Sequence, residues 1–174
     1  MLKRGILFFA VLYLSSCSYS FTGSSLSREV KTIQIQPFID NSPLKNPNLA
    51  QQFTIDVQSR FLQRTTLKGT LENPDILIEG EIVDYVPTAP ATVSSNSVTS
   101  GSGNVIQTSQ NKMVISIKVR YENKYEPEKN FERTYTDEAT FSSDLDISTV
   151  EDRQIKIVTE RIINKMFNDI IADW

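Results

Sequence analysis

The sequence predicts an α+β fold: a two-layer sandwich with two amphipathic helices packed on one face of a four-stranded mixed β-sheet. The predicted elements follow the order β-α-β, a long loop, then β-β-α. Each helix has one apolar stripe, so each needs an apolar surface to cover. The strands alternate apolar and polar residues, which is typical of a sheet buried on one side. The second face of the sheet should therefore stay polar and uncovered.

Residues 1–16 predict a targeting signal. Lys3 and Arg4 precede an apolar run from Gly5 to Leu14. This run is shorter than the roughly 20 residues that cross a bilayer, and it matches the apolar region of a secretory signal. Two small serines then lead to Cys17, the only cysteine of the chain. The alternative is an ordinary signal peptide that a cysteine follows by chance.

The block Leu14-Ser15-Ser16-Cys17 resembles the bacterial lipoprotein signal. The resemblance implies cleavage before Cys17 and acylation of its sulfur and its new amino group. Residue 18 is Ser, whereas Asp at this place retains such proteins at the inner membrane in the best-known sorting rule. We therefore expect a lipid anchor at the outer membrane, on its periplasmic face. Several acyl chains would make this anchor stable.

The composition excludes several kinds of active site. The chain has no histidine and one cysteine, so it cannot form a Ser-His-Asp triad, a Cys-His pair or an internal disulfide. A zinc site is also excluded. The net charge of −3 argues against nucleic acid as a partner. We expect no catalytic residue, no metal and no cofactor beyond the lipid on Cys17.

The first half of the mature chain predicts a tether, a strand and a helix. Residues 17–29 form a Ser-rich tether, and a single domain follows over 30–174. A strand over Val30 to Phe38 alternates apolar and polar residues. Asn46 is placed to cap a helix with Pro47 as its first residue. The apolar stripe of this helix recurs at three- and four-residue steps through Leu49, Ala50, Phe53, Val57, Phe61 and Leu62.

The middle of the chain predicts a strong strand followed by an unusual loop. Leu67 to Leu71 is a candidate short strand, and Ile76 to Val86 is a stronger one that Pro87 and Pro90 should end. Its predicted inner face holds Ile76, Ile78, Gly80 and Ile82, and its outer face holds Glu79, Glu81 and Tyr85. Residues 87–111 carry no charge. They read as a neutral, β-tolerant loop or as a long hairpin extension.

The last third predicts a hairpin and a long helix. In the strand from Lys112 to Tyr125, every second residue from Met113 to Tyr121 is apolar. Phe131 to Phe141 should pair back with this strand as a hairpin. Arg133 and Asp137 share the phase of its apolar residues, so the sequence does not define which face of this strand is buried. Ser148 and Glu151 have the spacing of a capping box at the start of the final helix. The apolar stripe of that helix comprises Ile155, Val158, Ile162, Met166, Ile170 and Trp174.

The whole chain resembles the LptE family of outer-membrane lipoproteins. The resemblance is carried by its start, Cys17-Ser18-Tyr19-Ser20-Phe21-Thr22-Gly23, and by several shorter stretches that are individually weak. These stretches are Val30-Lys31-Thr32-Ile33, Asn46-Pro47-Asn48-Leu49-Ala50-Gln51-Gln52-Phe53, Glu79-Gly80-Glu81-Ile82, Asn130-Phe131-Glu132-Arg133-Thr134-Tyr135, Val150-Glu151-Asp152 and Ala172-Asp173-Trp174. The loop at 87–111 matches no family pattern.

The resemblance implies an adaptor rather than an enzyme. Such a protein associates one-to-one with an LptD-like β-barrel translocon, plugs and stabilises it, and contacts lipopolysaccharide in transit. Since lipopolysaccharide is polyanionic, two basic pairs are candidate contacts: Lys118 with Arg120 on one strand face, and Arg60 with Arg64 on the first helix. Either pair can also be a solvated surface.

Two other functions stay open at this stage. A free-standing lipoprotein could bind glycan or peptidoglycan, or it could serve another export machine. An envelope hydrolase is the third option. Glu79 and Glu81 share a strand face, but nothing else in the sequence assembles a catalytic site around them.

Overall fold

The computed structural model describes residues 26–91 and 110–171. Six strands form one mixed sheet in the order β3-β1-β4-β5-β6, and β2 lies beside β4. The strands are β1 (Thr32–Ile35), β2 (Ile39–Asp40), β3 (Lys68–Gly69), β4 (Ile76–Ala91), β5 (Gln110–Asn123) and β6 (Phe131–Ser142). The helices are α1 (Pro47–Arg64) and α2 (Ile147–Ile171), and a short 3-10 turn covers Pro127–Lys129.

The α+β class, the two helices and the mixed sheet are confirmed, but the count of four strands is wrong. The predicted strand over Val30 to Phe38 is shorter, and a second strand, Ile39–Asp40, follows Pro37. Proline has no N–H to donate to a strand ladder. The candidate short strand at Leu67 to Leu71 is a strand only over Lys68–Gly69, which pairs in parallel with β1.

Both helices pack on the same face of the sheet. In β5, Met113, Ile115, Ile117 and Val119 are fully buried, while the residues between them are partly exposed or lie on the outer side. The helices run in parallel, since Asn46 contacts Glu151 near their beginnings and Phe61 packs on Phe167 near their ends. The helix layer therefore covers one side of the sheet and leaves the other side open.

The beginning of α1 is as the sequence predicts, and that of α2 is not. The Asn46 side chain accepts hydrogen bonds from the backbone N–H groups of Asn48 and Leu49, both at 3.2 Å. At α2, Asp146 is the residue whose carboxylate accepts the Ser148 N–H at 2.9 Å. The predicted capping box at Ser148 and Glu151 is therefore wrong.

Glu151 instead joins three elements of the fold. Its carboxylate accepts hydrogen bonds from the Tyr85 hydroxyl of β4 and from the Asn46 side chain before α1. Burial and the hydrogen bond to Glu151 raise the pKa of Tyr85 above its ordinary value. The buried hydroxyl thus stays protonated and fixes the beginning of α2 against the sheet.

β4 differs from the prediction in two ways. Its register with β5 shifts between Ile82 and Asp84, which is a β-bulge. The extra residue turns Tyr85 to the buried side with Ile82, so its predicted place beside Glu79 and Glu81 is wrong. The predicted end at Pro87 and Pro90 is also wrong, because the strand continues to Ala91.

The prolines are tolerated because of where they lie. The register with β5 shifts again between Val86 and Ala89, around Pro87. On the other side of β4, β2 pairs only as far as Ile82, and no other described strand pairs there beyond it. A missing N–H costs little at a bulge or on a free edge. Residues 87–91 and 110–111 therefore extend the hairpin, and 92–109 lie outside the described residues.

Ion pairs explain the two charges on the inner side of β6. Asp137, 13% exposed, accepts Lys165 of α2 at 2.7 Å and lies 3.5 Å from Arg161. Arg133 pairs with Asp169, which also accepts the Tyr135 hydroxyl at 2.8 Å. These charges lie where α2 meets the outermost strand, so oppositely charged helix residues reach them.

Gly80 lies where β4, the backbone of β5 and the ring of Phe38 come into close contact. A Cβ built on Gly80 would lie 2.3 Å from the Lys118 carbonyl oxygen and 2.6 Å from the ring of Phe38. That ring in turn packs edge-on against Phe53 of α1, with the ring centroids 4.9 Å apart. Gly80 thus admits the aromatic pair that joins α1 to the centre of the sheet.

Replacing Gly80 with Ala should lower the free energy of unfolding by about 1–3 kcal/mol, the usual cost of overpacking a core. Urea denaturation monitored by circular dichroism measures the change. Gly69→Ala is the matched control, because its added Cβ would meet nothing closer than 3.9 Å. Equal stability of the two variants would contradict the account of Gly80.

The Asp137 pair should make stability depend on pH. Burial opposes ionisation of Asp137, but Lys165 and hydrogen bonds to the carboxylate hold its pKa below the ordinary value. A carboxyl group with a lowered folded-state pKa stabilises the fold above about pH 4, and the contribution is lost as pH falls through the folded-state pKa.

Asp137→Asn should therefore be less stable than the wild type at pH 7, by about 1–3 kcal/mol. The difference should shrink towards pH 2, as chemical denaturation at several pH values would show. Glu160→Gln, which changes an exposed carboxyl group of α2, should follow the wild type throughout. A pH-independent deficit in Asp137→Asn would be the contrary result.

Candidate functional site

The uncovered side of the three long strands is the candidate functional surface, and we call it the open face. β5 runs through its middle, with β4 and β6 on either side. The open face consists of side chains from alternate residues of each strand, opposite in phase to the buried residues. Its central residues are Glu79, Glu81, Ser116, Lys118, Arg120, Glu122, Glu132 and Thr136.

Lys118 and Arg120 lie on the open face as the sequence predicts, but each already has acidic partners. Lys118 forms an ion pair with Glu132 at 2.7 Å, which raises the pKa of Lys118. Arg120 contacts Glu79 at 3.3 Å and also pairs with Glu122. The cluster therefore holds more carboxylates than cations, and its two basic groups are charge-neutralised within the protein.

The other half of the open face is less charged. The Ser116 and Thr136 hydroxyls contact each other at 2.9 Å across β5 and β6. Beyond them, Lys112 pairs with Glu138 at 2.6 Å. The open face thus presents hydroxyl groups, paired cations and an excess of carboxylates, which suits hydrogen bonding to another polar surface.

A shallow cavity lies at the charged end of the open face. It has a volume of about 250 Å³ and is lined by Ile39, Glu79, Glu81, Lys118, Arg120 and Glu132, among others. Ile39 is 62% exposed. Glu81 accepts a hydrogen bond from the Asn41 side chain at 2.6 Å, and Glu79 is held by Arg120. Both carboxylates are therefore engaged in structural contacts, which gives no support to an acid-base pair.

The second basic pair is on the opposite side of the molecule. Arg60 and Arg64 belong to α1, in the helix layer. Arg60 hydrogen-bonds to the neutral side chain of Asn164 on α2, at the groove between the helices. The structure thus separates the two candidate pairs rather than joining them into one basic patch. Cys17 lies outside the described residues.

The carboxylate partners are what sequence reasoning missed. Glu132 is twelve residues or more from Lys118 and Arg120 along the chain, and its role depends on the register of β5 with β6. Alternation within β5 correctly placed Lys118 and Arg120 on the open face. Alternation does not define which residue of the neighbouring strand lies opposite each of them. Only the Arg120–Glu122 pair, two residues apart on one strand, could be read from spacing.

Within residues 26–91 and 110–171, no group of three or more acidic or cysteine side chains is arranged to hold a metal ion. Neither α1 nor α2 combines the length and apolarity that a membrane-crossing helix needs. Buried side-chain polar atoms in this part of the chain all have hydrogen-bond partners.

Several solved structures have similar folds at low sequence identity. The hypothetical protein CT253 from Chlamydia trachomatis is 11% identical, over 81% of this chain and 98% of that chain, with a TM-score of 0.48. An uncharacterized lipoprotein B from Nitrosomonas europaea is 15% identical, over 83% and 84%, with a TM-score of 0.47.

A minor lipoprotein from Acinetobacter baumannii is 13% identical, over 80% of this chain and 90% of that chain, with a TM-score of 0.45. Among curated protein sequences, none matches this chain. A family model does match: LptE, described as lipopolysaccharide-assembly, over residues 30–173. Because that match covers 144 of the 174 residues, this chain belongs to the LptE family of lipopolysaccharide-assembly proteins.

Proposed function

We propose that this protein is a non-catalytic adaptor, anchored by lipid to the outer membrane, that associates with and plugs a β-barrel translocon for lipopolysaccharide. The observation that carries the proposal is the family match over residues 30–173. The predicted lipid anchor on Cys17 supplies the location. The barrel partner would be LptD-like and bound one-to-one.

The open face supports a role inside or against a barrel. A barrel of this kind has a polar interior, so a protein that fills it must present polar groups that tolerate close contact. The open face offers mainly hydroxyl groups and paired charges, with Ile39 exposed at its charged end. Because both cations are already paired with carboxylates, the cost of removing these ion pairs from water is partly compensated before the partner binds.

The hairpin of β4 and β5 supports the same role. Its outer end includes Pro87–Ala91 and Gln110, all without charge, and it continues into the neutral residues 92–109. An uncharged segment can approach a lumen wall without a large desolvation cost. We infer that residues 87–111 extend into or against the barrel.

Lipopolysaccharide contact is the finer part of the proposal. Lys118 and Arg120 share the open face, and a phosphate could accept charge-assisted hydrogen bonds from both. It would then compete with Glu79, Glu122 and Glu132. Arg60 and Arg64 are the alternative contact for lipopolysaccharide. Arg60 contacts Asn164, which carries no charge, so a phosphate would not compete with a carboxylate there.

Deleting residues 94–109 tests the hairpin. Ala91 and Gln110 are paired partners, so the deletion leaves Thr92 and Val93 as a two-residue connection. We expect the domain to keep its thermal unfolding temperature and to retain less barrel protein on affinity purification from membranes. A second variant with Asn-Gly in place of 92–109 controls for the new turn. Undiminished barrel recovery with both variants would refute this part of the proposal.

Replacing Lys118 and Arg120 with Gln tests the lipopolysaccharide contact. Losing two charge-assisted hydrogen bonds should weaken binding about tenfold or more, measured with labelled lipopolysaccharide and the purified protein. Arg60→Gln with Arg64→Gln is the matched variant, as it removes the same charge from α1. If only that variant loses binding, the contact lies on the helix layer. If neither loses binding while both fold, the contact is absent.

A further inference from the structure

Exposed apolar side chains collect at one edge of the sheet. Leu71, which follows β3, is 87% exposed, and Ile55 and Leu62 of α1 are each almost half exposed. Ile55 and Leu62 are seven residues apart, so they lie on one flank of the helix, about two turns from each other. We call Ile55, Leu62 and Leu71 the apolar strip.

The contacts of α1 show that the apolar strip borders the outermost strands, β1 and β3. A Cβ built on Gly69 of β3 would lie 3.9 Å from the Leu62 side chain. Between Ile55 and Leu62, the Gln58 side chain donates to the backbone carbonyl of Ile35 in β1 at 3.3 Å. The apolar strip therefore lies at the β1–β3 edge, on the far side of the sheet from β6.

Basic residues accompany the apolar strip. The Lys68 N–H donates to the Lys31 carbonyl at 2.9 Å, so the segment that leads into β1 and the segment around β3 are neighbours. Residues 26–31 and 62–72 together hold more cations than acids, namely Arg28, Lys31, Arg64 and Lys68 against Glu29 and Glu72. In the described part of the chain, none of these cations is in an ion pair, unlike those of the open face. This edge is therefore basic, although the whole chain has a net charge of −3.

The predicted lipid anchor brings a bilayer within reach of this edge. Cys17 precedes Leu26, the first described residue, by nine residues, and a fully extended chain spans only about 30 Å over that length. Leu26 packs against the core, and the buried Val30 then leads into β1. The chain therefore enters the fold at the same edge that carries the apolar strip.

We propose that the apolar strip and its basic neighbours form a contact surface for the lipid bilayer that holds the anchor. The apolar strip inserts among the lipid headgroups, and Lys31 and Lys68 contact anionic phosphates. Apolar area and cations both add to the membrane binding that acyl chains supply. The inference rests on the lipid anchor of the proposed function, and it does not depend on the barrel.

This contact defines how the sheet lies relative to the membrane. With the β1–β3 edge on the bilayer, the strands run along its surface and β6 faces away from it. The hairpin of β4 and β5 then points sideways along the membrane. A barrel in the same membrane is therefore within reach of the hairpin, so the contact and the proposed adaptor function are compatible.

Fluorescence quenching tests the proposal on the full-length, lipidated protein in vesicles of phosphatidylethanolamine and phosphatidylglycerol. Thr66→Cys places a thiol at an exposed position between α1 and β3, and Thr140→Cys places one on β6 as the distant control. Each is labelled with an environment-sensitive fluorophore. Nitroxide-labelled lipid should quench the label at position 66 and leave the label at position 140 unaffected. An acylated Cys17 has no thiol, so it takes up no label.

Two double variants, each carrying the label at position 66, separate the apolar strip from other exposed apolar residues. Leu62→Gln with Leu71→Gln should lower the equilibrium constant for the contact about tenfold, because less apolar area enters the lipid. Ile39→Gln with Leu145→Gln also removes two exposed apolar side chains, but away from this edge, and should leave the quenching unchanged. Leu71→Gln alone controls for folding, since so exposed a side chain adds little to the core, and it should show part of the loss.

The basic residues are tested by the composition of the vesicles. Lys31→Gln with Lys68→Gln should reduce the quenching at position 66 in vesicles that contain phosphatidylglycerol. In vesicles of zwitterionic lipid alone, the same variant should match the parent, because no net negative charge attracts the lysines there. An equal reduction in both kinds of vesicle would contradict the phosphate contact.

Failure of the contact and failure of the anchor give different results. Equal quenching at positions 66 and 140, or an equal effect of the two apolar double variants, would refute the contact. Quenching at position 66 that requires a barrel protein in the vesicles would also refute it, because the apolar strip would then bind protein. Labelling of Cys17 in the wild type would refute the lipid anchor, and this inference with it. No quenching in a chain whose Cys17 takes up no label would refute the membrane contact alone.

Discussion

The fold depends on the burial of one face, and only one, of the hairpin formed by β4 and β5. Every second residue of β5 from Met113 to Tyr121 is buried beneath the helices. A one-residue slip of this strand would move all of them to the open face. The β-bulge between Ile82 and Asp84 preserves the arrangement in β4, because it brings Tyr85 back to the buried side after Ile82. Tyr85 can then reach Glu151 and hold the helix layer in place.

The same constraint creates the surface on which the proposed function rests. Since both helices lie on one side, nothing in the described chain covers the open face, and its residues must be compatible with water or with a polar partner. Lys118, Arg120 and their carboxylate partners meet this requirement by neutralising one another. An adaptor needs a surface of this kind more than it needs a deep cleft. The family match and the one-sided sheet thus support the same function.

Much of the fold could be predicted from local patterns. The cap at Asn46, the two helices and the burial phase of β5 each follow from residues close together in the chain. The errors share a cause, which is dependence on a distant partner. The prolines of β4 and the face of Tyr85 depend on which strand lies alongside. Glu151 fits a capping box by spacing, but the Tyr85 hydroxyl from another element binds it instead.

The candidate site was predictable to a similar extent. Alternation placed Lys118 and Arg120 on the uncovered face, but Glu79 and Glu132 become their partners only through the pairing of β5 with both neighbours. Because Asp137 and Arg133 share the phase of the apolar residues of β6, the sequence did not define which face of that strand is buried. Their place beside Lys165 and Asp169 depends on how far α2 extends over the edge.

The most direct test of the adaptor account is the composition of the complex that this protein forms in the membrane. The tagged, full-length protein would be purified from outer membranes in mild detergent, and the retained proteins would be identified and quantified by mass spectrometry. The account predicts one barrel protein of the lipopolysaccharide-assembly type in a one-to-one ratio. Recovery of the protein alone, or with glycan in place of a barrel, would contradict it.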